Sequence, residues 1–165
     1  MKILVFSDSH GRIANIKKAL DEHLKHGCVD HVFFLGDGAR DIMTLAAAYP
    51  EIPFDYVLGN CDSTTGNPKL LEKVVSVGEV KFLLMHGHNH GVKEHIQRAV
   101  DYAIEKGADV LLHGHTHVSV DMTVDGSYHG HVRVINPGSC SSTFFGSYAV
   151  IYVEGKNVVC GFRKV

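Results

Sequence analysis

Short apolar runs recur along the chain, and most of them end in a glycine followed or preceded by an aspartate, an asparagine or a histidine. Ile3-Leu4-Val5-Phe6 predicts a buried strand that stops at Ser7-Asp8-Ser9-His10. Ile13, Ile16, Ala19, Leu20 and Leu24 then repeat at a helical period, so a helix is expected over 13–25, with Gly27 as its C-terminal cap. His31 to Leu35 predicts a second strand ending at Gly36-Asp37-Gly38, and Asp41 to Tyr49 a short helix closed by Pro50 and Pro53. A third strand, Tyr56 to Leu58, leads into Gly59-Asn60-Cys61-Asp62. This β-α-β-α-β rhythm predicts parallel strands joined by helical crossovers.

Past a Ser/Thr/Gly/Pro-rich loop from Ser63 to Pro68, two runs, Leu70–Val77 and Val80–Met85, flank Gly78-Glu79 and read as a hairpin. The second run delivers His86-Gly87-His88. A helix is expected over 92–106, with Ile96, Ala99, Val100, Ala103 and Ile104 on one face, then a strand from Asp109 to Leu112 ending in a second histidine cluster. From Val118 onward the pattern holds strands without helices. Val118, Val120, Met122 and Val124 alternate with polar residues, as in a half-buried strand; His131 to Ile135 pairs back, and Tyr148–Val153 and Val158–Val165 form a last hairpin. The expected fold is α/β: two mixed sheets packed face to face with helices outside, a four-layer α-β-β-α sandwich, in one domain over 1–165.

Composition narrows the chemistry. At 165 residues the chain can bury one sizeable core, and its formal charge of −2 supplies no basic field for gripping a nucleic-acid backbone in bulk. No apolar run reaches membrane-spanning length, and Lys2 leads into a strand rather than a signal peptide, so a cytoplasmic protein is expected. The four cysteines, Cys28, Cys61, Cys140 and Cys160, are widely spaced without C-x-x-C and read as free thiols. Thirteen histidines are an excess, and their clustering in His86-Gly87-His88-Asn89-His90 and His113-Gly114-His115-Thr116-His117 points to a metal site.

Five strand ends supply Asp8 and His10, Asp37, Asn60, His86, and the pair His115 and His117. Seven nitrogen and oxygen donors exceed the needs of one tetrahedral ion, whereas two ions sharing a carboxylate would use them all. Mixed carboxylate, amide and imidazole donors suit Mn, Fe, Zn, Co or Ni better than Ca or Mg.

In order, Asp8-Ser9-His10, Gly36-Asp37, Gly59-Asn60-Cys61-Asp62, His86 and Gly114-His115-Thr116-His117 resemble the motif blocks of the calcineurin-like metallophosphoesterases. The short length, Cys61 and Asn136-Pro137-Gly138-Ser139 resemble the small YfcE-type phosphodiesterases in particular. The resemblance implies a dinuclear phosphodiesterase: Asp8, His10 and His117 hold one divalent ion, Asn60, His86 and His115 the other, and Asp37 bridges them. Manganese is the first expectation, with nickel, zinc, iron or cobalt as alternatives. It also implies in-line attack on phosphorus by a metal-bridging hydroxide, on a small phosphodiester or nucleotide-like substrate.

The resemblance assigns catalytic parts to Asn60, Cys61 and Asp62. Many relatives have a histidine where Cys61 stands; a thiol carries no positive charge, so diesters or esters with good leaving groups are expected over ordinary monoesters. With no such histidine to orient, Asp62 is expected to keep a structural task. After Ser139 relatives often continue to Pro-Arg, while this chain runs Cys140-Ser141-Ser142-Thr143-Phe144-Phe145. Arg12 is the candidate replacement cation, and His88 the candidate substrate contact beside His86. His90 and His113 are expected to pack or turn, and Phe144 and Phe145 to join the core. The competing readings are a non-catalytic scaffold on the same fold, as in a relative from the retromer coat, and a mononuclear hydrolase. A homo-oligomer is expected only from common practice among soluble enzymes.

Overall fold

A computed structural model of the chain describes residues 1–63, 70–142 and 144–165; most of the Ser/Thr/Gly/Pro loop and Thr143 lie outside the described residues. In chain order the elements are β1 (Lys2–Phe6), α1 (Ile13–Lys25), β2 (His31–Phe34), α2 (Ala39–Ala48), β3 (Phe54–Tyr56), β4 (Glu72–Val77), β5 (Val80–Met85), α3 (Gln97–Glu105), β6 (Val110–His113), β7 (Ser119–Asp125), β8 (His131–Pro137), β9 (Ser147–Glu154) and β10 (Asn157–Lys164). One sheet runs β10-β9-β1-β2-β3 and the other β4-β5-β6-β8-β7. Both are mixed: β1, β2 and β3 pair in parallel, as do β5, β6 and β8, while β9, β10, β4 and β7 join antiparallel.

The side-chain period of two turns these strands into layers. Ile3 and Val5 of β1 face Phe82, Leu84 and Leu112 across the space between the sheets. Leu4 and Phe6, one residue out of phase, pack on Ile16 and Leu20 of α1 and Ile42 and Leu45 of α2. On the far side Leu83, Met85 and Leu111 meet Ala99, Val100 and Ala103 of α3. The expected four-layer α-β-β-α sandwich is therefore present. Because β1 is covered on both faces, it reads as an unbroken apolar run.

Several boundaries differ from expectation. The third strand is Phe54–Tyr56 rather than Tyr56–Leu58: Leu58 donates its N–H to Leu70 O and leaves the ladder for the descending loop. α3 starts at Gln97, not Val92, because Gly87 and Gly91 are both left-handed and bracket a single 3-10 turn at His88–His90. His131–Ile135, expected only to pair back on the strand before it, also lies beside β6 in parallel as part of β8. The alternation in β7 does not bury one face: Val118 and Met122 are largely exposed, since β7 is an edge strand and only Val124 packs on a core. Phe144 and Phe145, expected in the core, are 81% and 89% exposed; the Ser142 hydroxyl accepts both of their N–H groups and turns the loop outward. All four cysteines are free, and no helix among the described residues is long and apolar enough to cross a membrane.

Candidate metal centre

Parallel pairing brings the carboxyl ends of β1, β2, β5 and β6 to one edge of the sandwich, and the loops leaving them converge there. Among the described residues, five non-glycine residues have positive φ: Asp8 (55°), His10 (46°), Asp37 (60°), His115 (67°) and His117 (62°). Each belongs to the set that the strand ends supply. A left-handed L-residue costs about 1–2 kcal/mol, so the fold concentrates its backbone strain on this one cluster.

Glycines make the crowding possible. A Cβ on Gly59 would lie 2.1 Å from Asp37 Oδ1, and one on Gly114 would lie 1.9 Å from Ser7 Oγ and 2.9 Å from Asp8 Oδ2. Only a residue without a side chain lets these loops approach so closely.

The carboxylates are buried and held. Asp8 is fully buried; its Oδ2 accepts from Ser7 Oγ at 2.5 Å and from the His115 N–H at 3.1 Å, which leaves Oδ1 facing the cluster. Asp37 Oδ1 accepts the Cys61 N–H at 2.8 Å, leaving Oδ2 free. His10 Nε2 stands 4.0 Å from both Asp8 Oδ1 and Asp37 Oδ2, and His117 Nε2 stands 3.1 Å from Asp8 Oδ1. On the other side of Asp37, His86 Nε2 is 3.5 Å from the same Oδ2, and 3.1 Å from Asn60 Oδ1. One oxygen of Asp37 therefore faces both groups of donors.

His86 tests whether this set fits a cation. Its ring is fully buried, and Nδ1 lies 2.7 Å from Leu35 O, which can only accept, so Nδ1 carries the hydrogen. A neutral His86 then points the Nε2 lone pair at two further acceptors, Asn60 Oδ1 and Asp37 Oδ2. Three acceptors converging on a buried ring favour a positive charge among them, which a metal ion would supply. Without one, the ring is drawn toward holding a proton: burial opposes its charge, but the carboxylates of Asp37 and Asp8 outweigh burial and raise its pKa. Burial would likewise raise Asp37, yet the His86 ring and the Cys61 N–H hold it well below the usual carboxylate range.

The remaining expected residues fall into three groups. His115 lies edge-on to His86, ring centroids 4.8 Å apart, but its nitrogens are not among the ligand atoms lying mutually within 4.8 Å. His88 sits beside it, 5.4 Å from His86 and 6.2 Å from His115, with its Nδ1 buried and without a hydrogen-bond partner among the described residues. Burial, and secondarily the neighbouring His86, lower the pKa of both rings. Arg12 is exposed at the start of α1, and its guanidinium makes no hydrogen bond or ion pair with a described residue, so the geometry does not tie it to the cluster.

Asp62 has a larger structural task than its motif suggests. Its two oxygens accept four backbone N–H groups, those of Asp37, Gly38, Ala39 and Gly59, at 2.8 to 2.9 Å. It thereby fastens the Asp37 loop and the first turn of α2 to the Asn60 loop. Asn136 does similar work for the last cluster: its Nδ2 donates to Gly114 O and Thr116 Oγ1, while Ser139 Oγ donates to Asp8 O. Cys61 Sγ lies within ligand reach of His10 and Asp37, an arrangement the sequence reading, which gave Cys61 a catalytic part and left it out of the ligand set, did not include. Asp37, and then burial, raise the thiol's pKa. His90 and His113 pack as expected, His90 against Glu72 and Tyr102 and His113 in the interior.

The model of the calcineurin-like phosphoesterase superfamily domain matches residues 1–156. The chain belongs to that superfamily. It is 34% identical over 140 residues to the probable metallophosphoesterase YsnB of Bacillus subtilis, covering 84% of this chain and 75% of that protein. To the phosphodiesterase MJ0936 of Methanocaldococcus jannaschii it is 31% identical over 166 residues, covering 88% of each. Among solved structures, a conserved protein from Streptococcus pneumoniae described as a predicted phosphoesterase superposes with a TM-score of 0.77 at 28% identity, covering 99% of this chain and 88% of that one. The zinc complex of Vps29 from Entamoeba histolytica superposes with a TM-score of 0.71 at 19% identity, covering 99% and 98%, a likeness of fold alone.

Proposed function

We propose that this superfamily member is a phosphodiesterase that holds two divalent transition-metal ions, manganese first among them. Asp8, His10 and His117 hold one ion, Asn60, His86 and His115 the other, and Asp37 serves both. The observation that carries this reading is the placement of Asp37 Oδ2, 3.5 Å from His86 Nε2 and 4.0 Å from His10 Nε2, with strained left-handed backbone at five of the seven residues. When bound, such a pair of ions activates water and neutralises charge growing on a phosphoryl group.

The chain's own residues set what else happens. Asp8 and Asp37, buried and each held through one oxygen by a backbone N–H, keep the other oxygen aimed at the histidines without reorganisation. His88, half-buried beside His86 and His115, offers a polar ring to substrate. Cys61, unlike an imidazole, cannot carry positive charge in either protonation state and so offers a departing alkoxide none. Esters with good leaving groups, diesters above all, are the substrates this favours.

The test refills metal-stripped protein with Mn, Ni, Zn, Co or Mg and assays bis-nitrophenyl phosphate against nitrophenyl phosphate. Two ions per chain with diester turnover, both lost in Asp37→Ala, is the expected outcome; one ion per chain would sink the dinuclear assignment. A non-catalytic binding role on this fold is the second reading, and the exposed pair Phe144 and Phe145 favours it. Two ions bound with no hydrolysis of any diester would select it.

A further inference from the structure

A cleft of about 710 Å³ adjoins the candidate metal centre through a shared residue, Cys61. Cys61 Sγ lies within 4.8 Å of ligand atoms of His10 and Asp37, and the same residue lines the cleft. The volume is in the range of small-molecule sites. Its walls also hold Thr44, Ser63 and the Asp62 carboxylate, whose oxygens are taken up by backbone N–H groups, but two features set its chemistry. Tyr56, Leu58 and Leu70 provide apolar surface, extended by Met43, which is 56% exposed on the outer face of α2. Arg40, one turn away on that face, provides a cation whose guanidinium has no hydrogen bond or ion pair with a described residue. α2 begins two residues after Asp37, and the Asp62 carboxylate holds its first turn, so this wall is fixed relative to the centre.

Resting on the phosphodiesterase reading, we infer that this cleft receives one ester arm of the substrate, and that the arm is a flat aromatic group carrying its own anion, as in a nucleoside phosphate. The ring lies against Met43, Tyr56, Leu58 and Leu70, and the anion pairs with Arg40. The chemistry follows from the lining. An apolar wall alone would accept any alkyl arm, whereas an unpaired guanidinium beside it favours a phosphate, two of whose oxygens it can grip through two parallel N–H bonds. A plain methyl ester leaves both features unused. Arg40 also stands where a substrate cation was sought in Arg12.

Three esters sharing a nitrophenolate leaving group separate the effects: methyl p-nitrophenyl phosphate, thymidine 5′-(p-nitrophenyl phosphate) and its 3′-phosphorylated form. KM is expected to fall about tenfold from the first to the second and again to the third, each step being one contact. Arg40→Gln removes the second step and Met43→Ser shrinks the first, while Arg98→Gln, on a separate cleft beside α3, alters neither. Equal KM for all three esters, or a uniform rise in Arg40→Gln, overturns the proposal. A binding readout keeps it apart from turnover: with four methionines in the chain, a methyl-labelled sample titrated with thymidine 3′,5′-bisphosphate should shift Met43 and leave Met122 in place. A Met43 shift without diester hydrolysis upholds the cleft and fells the phosphodiesterase reading. Hydrolysis without the shift does the reverse.

Discussion

The two groups of donors meet at Asp37, and they are prepared for an ion in opposite ways. On one side His86 is fully buried, with Nδ1 bound to Leu35 O and Nε2 already 3.1 Å from Asn60. On the other, the rings of His10 and His117 are 35% and 48% exposed and lean on a buried Asp8. A ring locked by packing and a second hydrogen bond gives up no rotamer freedom on binding, while an exposed one must. The difference teaches that the His86 side is preorganised and the His10 side completes itself around its ion.

The largest effect should come from breaking the buried side. His86→Ala removes a fully enclosed ring and strands Leu35 O, so it should lower metal-free stability by about 3 kcal/mol and empty the ion shared with Asn60. His117→Ala should empty the other site and change metal-free stability by less than about 0.5 kcal/mol. Urea titration with metal analysis checks both, and equal destabilisation by the two variants would erase the contrast. Next, Asp62→Ala strips four backbone N–H groups of their acceptor, and should cost about 2–3 kcal/mol while loosening both sides together. A variant that lost only one ion would show the loops to be independent.

A smaller effect of opposite sign sharpens the open side. His10→Gly relieves a left-handed backbone, and should raise metal-free stability by about 1 kcal/mol while abolishing one ion. A fall in melting temperature would refute strain at that position. A further effect, confined to stability, lies away from both sides. Asp55 accepts from His31 at 2.7 Å and pairs with Lys73; the His31 bond, working against burial, lowers its pKa. Its contribution is therefore present above the ordinary carboxylate pKa and lost as pH falls through the folded one. Asp55→Asn should cost about 1 kcal/mol at pH 7, a cost that fades as pH falls through the folded pKa and that belongs to the fold and not to the metal centre.

Much of this architecture was legible in the residues. Near-continuous apolar runs marked β1 and β5, which are covered on both faces, and a period of 3.6 marked α1, which buries one; the strand-end polar residues converge because parallel strands bring their carboxyl ends together. What stayed hidden depends on partners distant in sequence. No local pattern announces that Asp8, His10, Asp37, His115 and His117 take left-handed backbone, since glycines elsewhere, Gly59 and Gly114, make the room. Nor could Phe144 and Phe145 be placed by hydrophobicity, when a serine two or three residues back decides where the loop turns. Met43 did leave a trace: it stands on the outer face of α2, beside Arg40 and Thr44 and away from Ile42 and Leu45.

The clasp made by Asp62 has a bearing on engineering. Since a single side chain ties residues 37–39 to residue 59, the two segments behave as one cassette. Grafting this centre onto another sandwich would require transplanting both together, spaced to within a hydrogen bond, whereas copying the donor side chains alone would leave them without a common anchor.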